Sequence, residues 1–201
     1  KHDMGSGHPE QPARLAAIED RLIAAGIHQH LQHHSAPLAT REHLLRAHRR
    51  EYIDDIFDNA PQPGRTRRLD PDTAMNEHSL AAALRAAGAV VLAADLVMKG
   101  EADNAFCAVR PPGHHALSNR SMGFCVFGNI VIGARHALEQ HKLQRVAIVD
   151  FDVHHGNGTE EMIAEDKRVL FCSSFQHPFY PFQGAETLSD HIVNTPLPER
   201  S

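Results

Sequence analysis

In the stretch VAIVDFDVHHGNGTEE, residues 146–161, an apolar run ends in two carboxylates and two imidazoles between Asp150 and His155. Side chains alternate along an extended backbone, so Asp150, Asp152 and His154 share one face and Val149, Phe151 and Val153 the other. A carboxylate and an imidazole on one side can close on Zn²⁺ or another first-row divalent ion, so Asp152 and His154 are candidate ligands. Asp150 either joins them or accepts a hydrogen bond from a neighbouring histidine and fixes its tautomer. Taken alone the motif also fits a structural charge cluster at a strand end. RPPGHHA, residues 110–116, adds two conformationally restricted prolines, a glycine turn and the pair His114–His115. Adjacent imidazoles beside a divalent ion suit proton handling, one taking a proton from the attacking water and the other staying charged or assisting the leaving group. Asp150 and Asn157 are the partners that would decide which does which.

Two further stretches carry aromatics. SMGFCVFGN (121–129) forms a glycine–aromatic corner, and HPFYPF (177–182) places a cluster on another loop. Each reads as core packing by itself and as a channel wall beside the histidine pair. HQHLQHH (28–34) is polar, lacks a carboxylate and reads as a solvated segment.

Elements must bring these clusters together. PARLAAIEDRLIAAG (12–26) reads as a helix with Leu15, Ile18 and Leu22 on one face; a second helical stretch spans 40–59, and 60–72 reads as loop. A long alanine-rich helix is expected over 77–99, with Leu80, Leu84, Val91 and Val97 or Met98 inward. The pattern then changes to a buried strand at 104–109, a helix at 127–141, a strand at 145–151, a helix at 158–166 and a strand at 168–175. Strands alternating with helices imply right-handed crossovers and a parallel sheet. The expected fold class is α/β, three-layered, with a mostly parallel sheet and helices on both faces. Ligands in such sheets sit beyond the carboxyl ends of the strands, where all three clusters fall.

The chain has 201 residues, 42% hydrophobic and 22% charged, with a formal net charge of −5. That suits one domain without the basic footprint of a nucleic-acid binder. The apolar stretches read as too short for a membrane span, and KHDMGSGHPE lacks the apolar core of a signal peptide. Three cysteines without a CxxC pair suggest a reducing, cytoplasmic compartment.

GHPEQPAR, RPPGHHA, GFC and VDFDVHHGNGT, in this order, resemble the zinc-dependent histone deacetylase superfamily, in its class II-like and bacterial branch, within the arginase/deacetylase fold. The resemblance covers essentially the whole chain. It implies that Asp152 and His154 ligate zinc and that His114 and His115 form the proton-transfer pair, with Asp150 bonded to His114 and Asn157 near His115. Gly123 would offer its carbonyl to the substrate amide, Phe124 and Tyr180 would flank an acyl-lysine channel, and Asp72 would grip the substrate backbone at the rim. Arg14 matches an arginine of an internal acetate-release path. Asp150, Asp152, His154 and Ser173 match a potassium site. The family's third zinc ligand, an aspartate, and its Gly-Gly-Tyr tyrosine have no counterpart in residues 1–201, so the expectation is a single deacetylase-like domain, 1–201, incomplete at the C-terminus. The implied activity is hydrolysis of acetyl-lysine or a related acylated amine, releasing acetate. Its partners would be an acetylated protein, peptide or small amine, without nucleic acid or membrane, and with homo-oligomerisation left open. Two alternatives stand beside it: a non-catalytic domain that binds metal or a partner, and an arginase-like ureohydrolase.

Overall fold

The valine- and isoleucine-rich runs after residue 145 form a parallel sheet of three strands in the order β3 (Val146–Asp150), β4 (Val169–Gln176) and β5 (Ile192–Leu197). The structure is a computed structural model, and it describes residues 1–186 and 189–200. Ahead of the sheet come α1 (Ala13–Ala24), α2 (Arg41–Leu45), α3 (Arg50–Asp58), a hairpin of β1 (Thr66–Arg68) and β2 (Ala74–Asn76), and α4 (Ser79–Met98). The helix α5 (Asn129–Gln140) precedes β3, and α6 (Asn157–Ile163) crosses from β3 to β4.

One core holds most of these elements together, α1 having no residue in it. Ile148, Val169, Phe171 and Ile192 of the sheet pack with Leu44, Ile53, Leu84, Val91, Val131, Ile132 and Ile163 of the helices. Gly133 of α5 lets α4 lie close against it, since a Cβ there would stand 2.3 Å from Val90 Cγ1. The opposite face of the sheet is apolar and open: Val149 is 66% exposed, Leu170 41% and Val193 43%. Phe151, just past the end of β3, is 86% exposed. Of the three layers expected, the described residues supply the sheet and the helical layer on one face.

Several expectations need correction. The 40–59 helix is broken, because the Arg49 amide donates to the Ser118 carbonyl instead of continuing the helix. Next to it the buried His48 is a fixed strut, its Nδ1–H donating to the Leu117 carbonyl and its Nε2 accepting from the Gly128 amide. Burial pushes its pKa down to about 4. Residues 104–109 form no strand. A ladder needs a neighbour, and between this segment and the free edge of β3 lies a cavity of about 610 Å³ lined by Cys107, Val109, Ile148 and Val149. Phe106 is accordingly 70% exposed.

At the end of α4, Val97 and Met98 face outward. This 20-residue helix, with a mean hydropathy of 1.9, is long and apolar enough to span a bilayer by length and composition, contrary to the expectation; 39% of its apolar stretch is buried, and it packs on α5. The strand β5 was not among the expected elements; it contains Pro196, and as an edge strand of the sheet among the described residues it tolerates a residue that cannot donate to the ladder.

Candidate active site

The carboxyl end of β3 carries the centre of the site. His114 Nδ1 lies 3.0 Å from Asp150 Oδ2, and His115 Nδ1 lies 2.8 Å from Asn157 Oδ1. A carboxylate only accepts, so His114 donates from Nδ1. Asn157 spends its amide N–H on Met122 Sδ, so its oxygen accepts from His115 Nδ1. Each ring is thereby left with a free Nε2, and the two rings sit 4.0 Å apart at 42°. Burial, then the nearby charge of His114, pushes the His115 pKa down to about 4, against the opposing Asn157 hydrogen bond. The Asp150 carboxyl is lowered although burial pushes it up, because the hydrogen bond and charge of His114 outweigh that effect.

Local backbone chemistry places the histidine pair. The amides of Gly158 and Thr159, opening α6, both donate to the His114 carbonyl, at 2.9 and 3.1 Å. Gly158 is required for that approach, since a Cβ would stand 2.2 Å from the Ala116 oxygen. Gly123, at φ +55°, passes over the His115 ring, where a Cβ would meet Cδ2 at 2.4 Å. Phe124 follows at φ +69°, its amide held by Thr73 Oγ1 at 2.9 Å.

Asp152 Oδ1 and His154 Nδ1 stand 3.1 Å apart on the exposed side of the pair, a carboxylate–imidazole set suited to a divalent ion. Ser173 Oγ, in register with Asp150 on β4, is buried without a hydrogen-bond partner among the described residues, the kind of orphan a cation satisfies.

Aromatic rings border this end of the sheet. Tyr180 meets His115 edge-on at 5.2 Å and His154 at 5.8 Å, while Phe179 stacks on His154 at 5.0 Å. Asp72 reaches the site through Thr73, whose hydroxyl donates to its carboxylate. Burial first, then the hydrogen bond and charge of Asp70, push the Asp72 carboxyl up. Burial pushes the Asp70 carboxyl up, but its side-chain hydrogen bond with Asp72, and then the amides of Asp72 and Thr73 that it accepts, hold it low.

The structure places near one another the residues that type and spacing pointed to, His114, His115, Asp150, Asp152, His154, Asn157 and Phe124, and those that only the resemblance implied, Ser173, Gly123, Tyr180 and Asp72. Arg14 stands apart, exposed on the first turn of α1. The guanidinium buried behind RPPGHHA is instead that of Arg110, held by Glu10. Neither Glu10, Phe179, Thr73 nor His8, whose Nε2 bonds the Asp72 carbonyl at 3.1 Å and whose ring meets Phe124, was singled out as a site residue. GHPE contains two of them, but nothing in its spacing reveals partners more than 60 positions away.

Asp95, His136 and His141 form a second polar cluster, between α4 and the end of α5. His136 Nδ1 lies 2.5 Å from Arg46 Nη1, and arginine can only donate. His136 therefore carries its proton on Nε2 and gives it to Asp95 at 2.7 Å, a tautomer with no lone pair toward the cluster centre. The group reads as a hydrogen-bonded brace.

The sheet, crossover and site define an α/β chain with the arginase/deacetylase fold, matching the solved HDA15 HD domain with a TM-score of 0.89 at 37% identity, over 98% of this chain and 59% of that one. Residues 8–201 match the histone deacetylase domain family, and the chain belongs to it. Among its relatives, an uncharacterized Synechocystis protein is 38% identical over 98% of this chain and 66% of its own length. The histone deacetylase-like amidohydrolase of Pseudomonas aeruginosa is 37% identical over 92% of this chain and 49% of its own. The chain thus spans about half to two thirds of the length of these curated relatives.

Proposed function

We propose that the site belongs to a zinc-dependent deacetylase that hydrolyses the amide of acetyl-lysine or a related acylated amine and releases acetate. The observation that carries this reading is the convergence of two differently partnered histidines, His114 on a carboxylate and His115 on an amide, beside the Asp152–His154 donor pair. Zinc bound there would supply Lewis-acid polarisation of the substrate carbonyl and make water more acidic. His114 and His115, through their free Nε2 atoms, take the proton of the attacking water and return one to the leaving amine. Asp150 and Asn157 hold the two rings in the required tautomers. The Gly123 carbonyl accepts from the substrate amide, Phe124 and Tyr180 flank the acyl chain, and the Asp72 carboxylate accepts from substrate backbone N–H groups. Arg14 acts on the product path only if α1 moves from its observed, exposed setting. The orphaned Ser173 Oγ beside Asp150 supports a potassium ion at that level.

The test is to measure zinc content and turnover of an acetyl-lysine peptide in a form that continues through a downstream aspartate and Gly-Gly-Tyr, against its Asp152→Ala and His154→Ala variants. Metal and activity should vanish together. Undiminished turnover by either variant in a metal-free preparation would overturn the reading.

A second reading, a unit that binds metal or a partner without turnover, is favoured by the open sheet face around Val149 and Phe151. Metal retention without hydrolysis, in the longer form as in the short one, would decide for it.

A further inference from the structure

We infer that Phe179 is a positioning residue for the metal site, acting by stacking on the imidazole of His154. The inference rests on the reading that Asp152 and His154 hold the ion. The two rings lie 5.0 Å apart and nearly parallel, at 11°. That covers one face of a side chain which is otherwise 34% exposed and could turn its Nδ1 away from Asp152. Edges of Tyr180, at 5.8 Å, and His115, at 5.9 Å, border the same ring, so Phe179 is the only one of the three lying flat upon it.

The backbone around Phe179 is built to hold it there. The Gln176 amide donates to the Val153 carbonyl at 2.9 Å, fastening the start of the loop to the residue before His154. Pro178 and Pro181 bracket the Phe179–Tyr180 pair and restrict φ on both sides. The Phe182 amide closes a turn onto the Phe179 carbonyl at 2.7 Å. Phe179 itself remains 39% exposed, so core burial does not account for an aromatic at this position. A ring fixed before the ion arrives loses less rotamer freedom on binding, and partners that orient a ligand typically change metal affinity by about 10- to 100-fold. An aromatic stack is a weaker restraint than a hydrogen bond, so the effect expected here is about three- to tenfold.

The experiment titrates zinc into residues 1–201 in competition with a chromophoric chelator, for the wild type, Phe179→Ala, Phe179→Leu, Phe179→Tyr and His154→Ala. The difference from His154→Ala isolates the site from the solvated histidines at 28–34. Phe179→Ala and Phe179→Leu should both weaken this component by about three- to tenfold, and Phe179→Tyr should restore it to within about twofold. A shift of the His154 ring resonances on replacing Phe179, with the unfolding midpoint unchanged, should accompany the loss. Wild-type affinity in Phe179→Ala, with the component lost in His154→Ala, would overturn the inference alone. Equal losses in Phe179→Tyr and Phe179→Ala would also overturn it, since a flat ring would then not be what matters. An unchanged titration of His154→Ala would overturn the metal reading itself, and the inference with it.

Discussion

Replacing Glu10 with glutamine should cost more stability than any other single uncharging in this chain. The Glu10 and Arg110 side chains are 3% and 7% exposed, and they meet through two parallel contacts, Nε to Oε1 at 2.5 Å and Nη2 to Oε2 at 2.6 Å. Arg110 also donates to the His2 carbonyl, and His2 Nδ1 reaches Ser79 Oγ at 2.6 Å, so the pair ties the N-terminal segment to the loop bearing His114. A glutamine side chain would keep the shape but leave a guanidinium, which cannot lose its proton, buried without a counter-charge. Breaking a buried pair this way costs about 3–5 kcal/mol, and a chain of this size loses about 2–4 °C in Tm per kcal/mol, which makes a fall of about 6–20 °C.

The assay is urea unfolding of Glu10→Gln, Arg110→Met and the double variant Glu10→Gln/Arg110→Met. The double variant should lose clearly less than the two single losses added, because no lone charge remains. Glu10 also predicts a pH signature. Burial pushes its carboxyl up, but the hydrogen bonds of His2 and Arg110 and their charges outweigh this and hold it below 4.5. A carboxyl lowered on folding stabilises fully above its unfolded pKa and loses that contribution as pH falls through the folded value. The gap between wild type and Glu10→Gln should therefore be constant above about pH 5 and close progressively below 4.5. A loss under about 1 kcal/mol at neutral pH, or strict additivity in the double variant, would refute this reasoning.

Three predictions concern turnover. In a turnover-competent form, Asp72→Ala should weaken peptide substrates more than small acylated amines, which lack backbone N–H groups for the carboxylate; equal losses would remove Asp72 from the rim. Phe124→Ala, in the same assay, should raise KM or lower kcat while zinc content stays unchanged. Residues 1–201 alone, loaded with zinc, should fall short of a form bearing a third ligand and an oxyanion-donating tyrosine by at least about 10² in kcat/KM, the typical loss for one such donor. Matching values would show that the implied missing groups are not needed.

What the sequence revealed follows the range over which a residue type constrains its surroundings. The β3–α6–β4 unit was legible because alternating apolar residues and a glycine-flanked turn fix their own geometry within a few positions. That Asp150 and Asn157 would partner the histidine pair was legible in the residues; which partners which came only from the resemblance, and the structure sets Asp150 on His114 and Asn157 on His115, 36 and 42 residues on. Glu10 and Arg110 stand 100 positions apart, and neither residue advertises the other; only the fold shows that an ordinary glutamate is a buried counter-ion. The misread segment 104–109 makes the same point from the other side. NAFCAV has the composition of a buried strand, but burial belongs to a pair of surfaces and a ladder to a pair of strands. Val149 and Phe151 are apolar and exposed along one cavity, and Phe106, next in sequence to Cys107 of its lining, is exposed too, so their residue types state that this region is to be covered without stating by what. Residue chemistry fixes what a position requires. Which neighbour meets the requirement is a property of the assembled sheet.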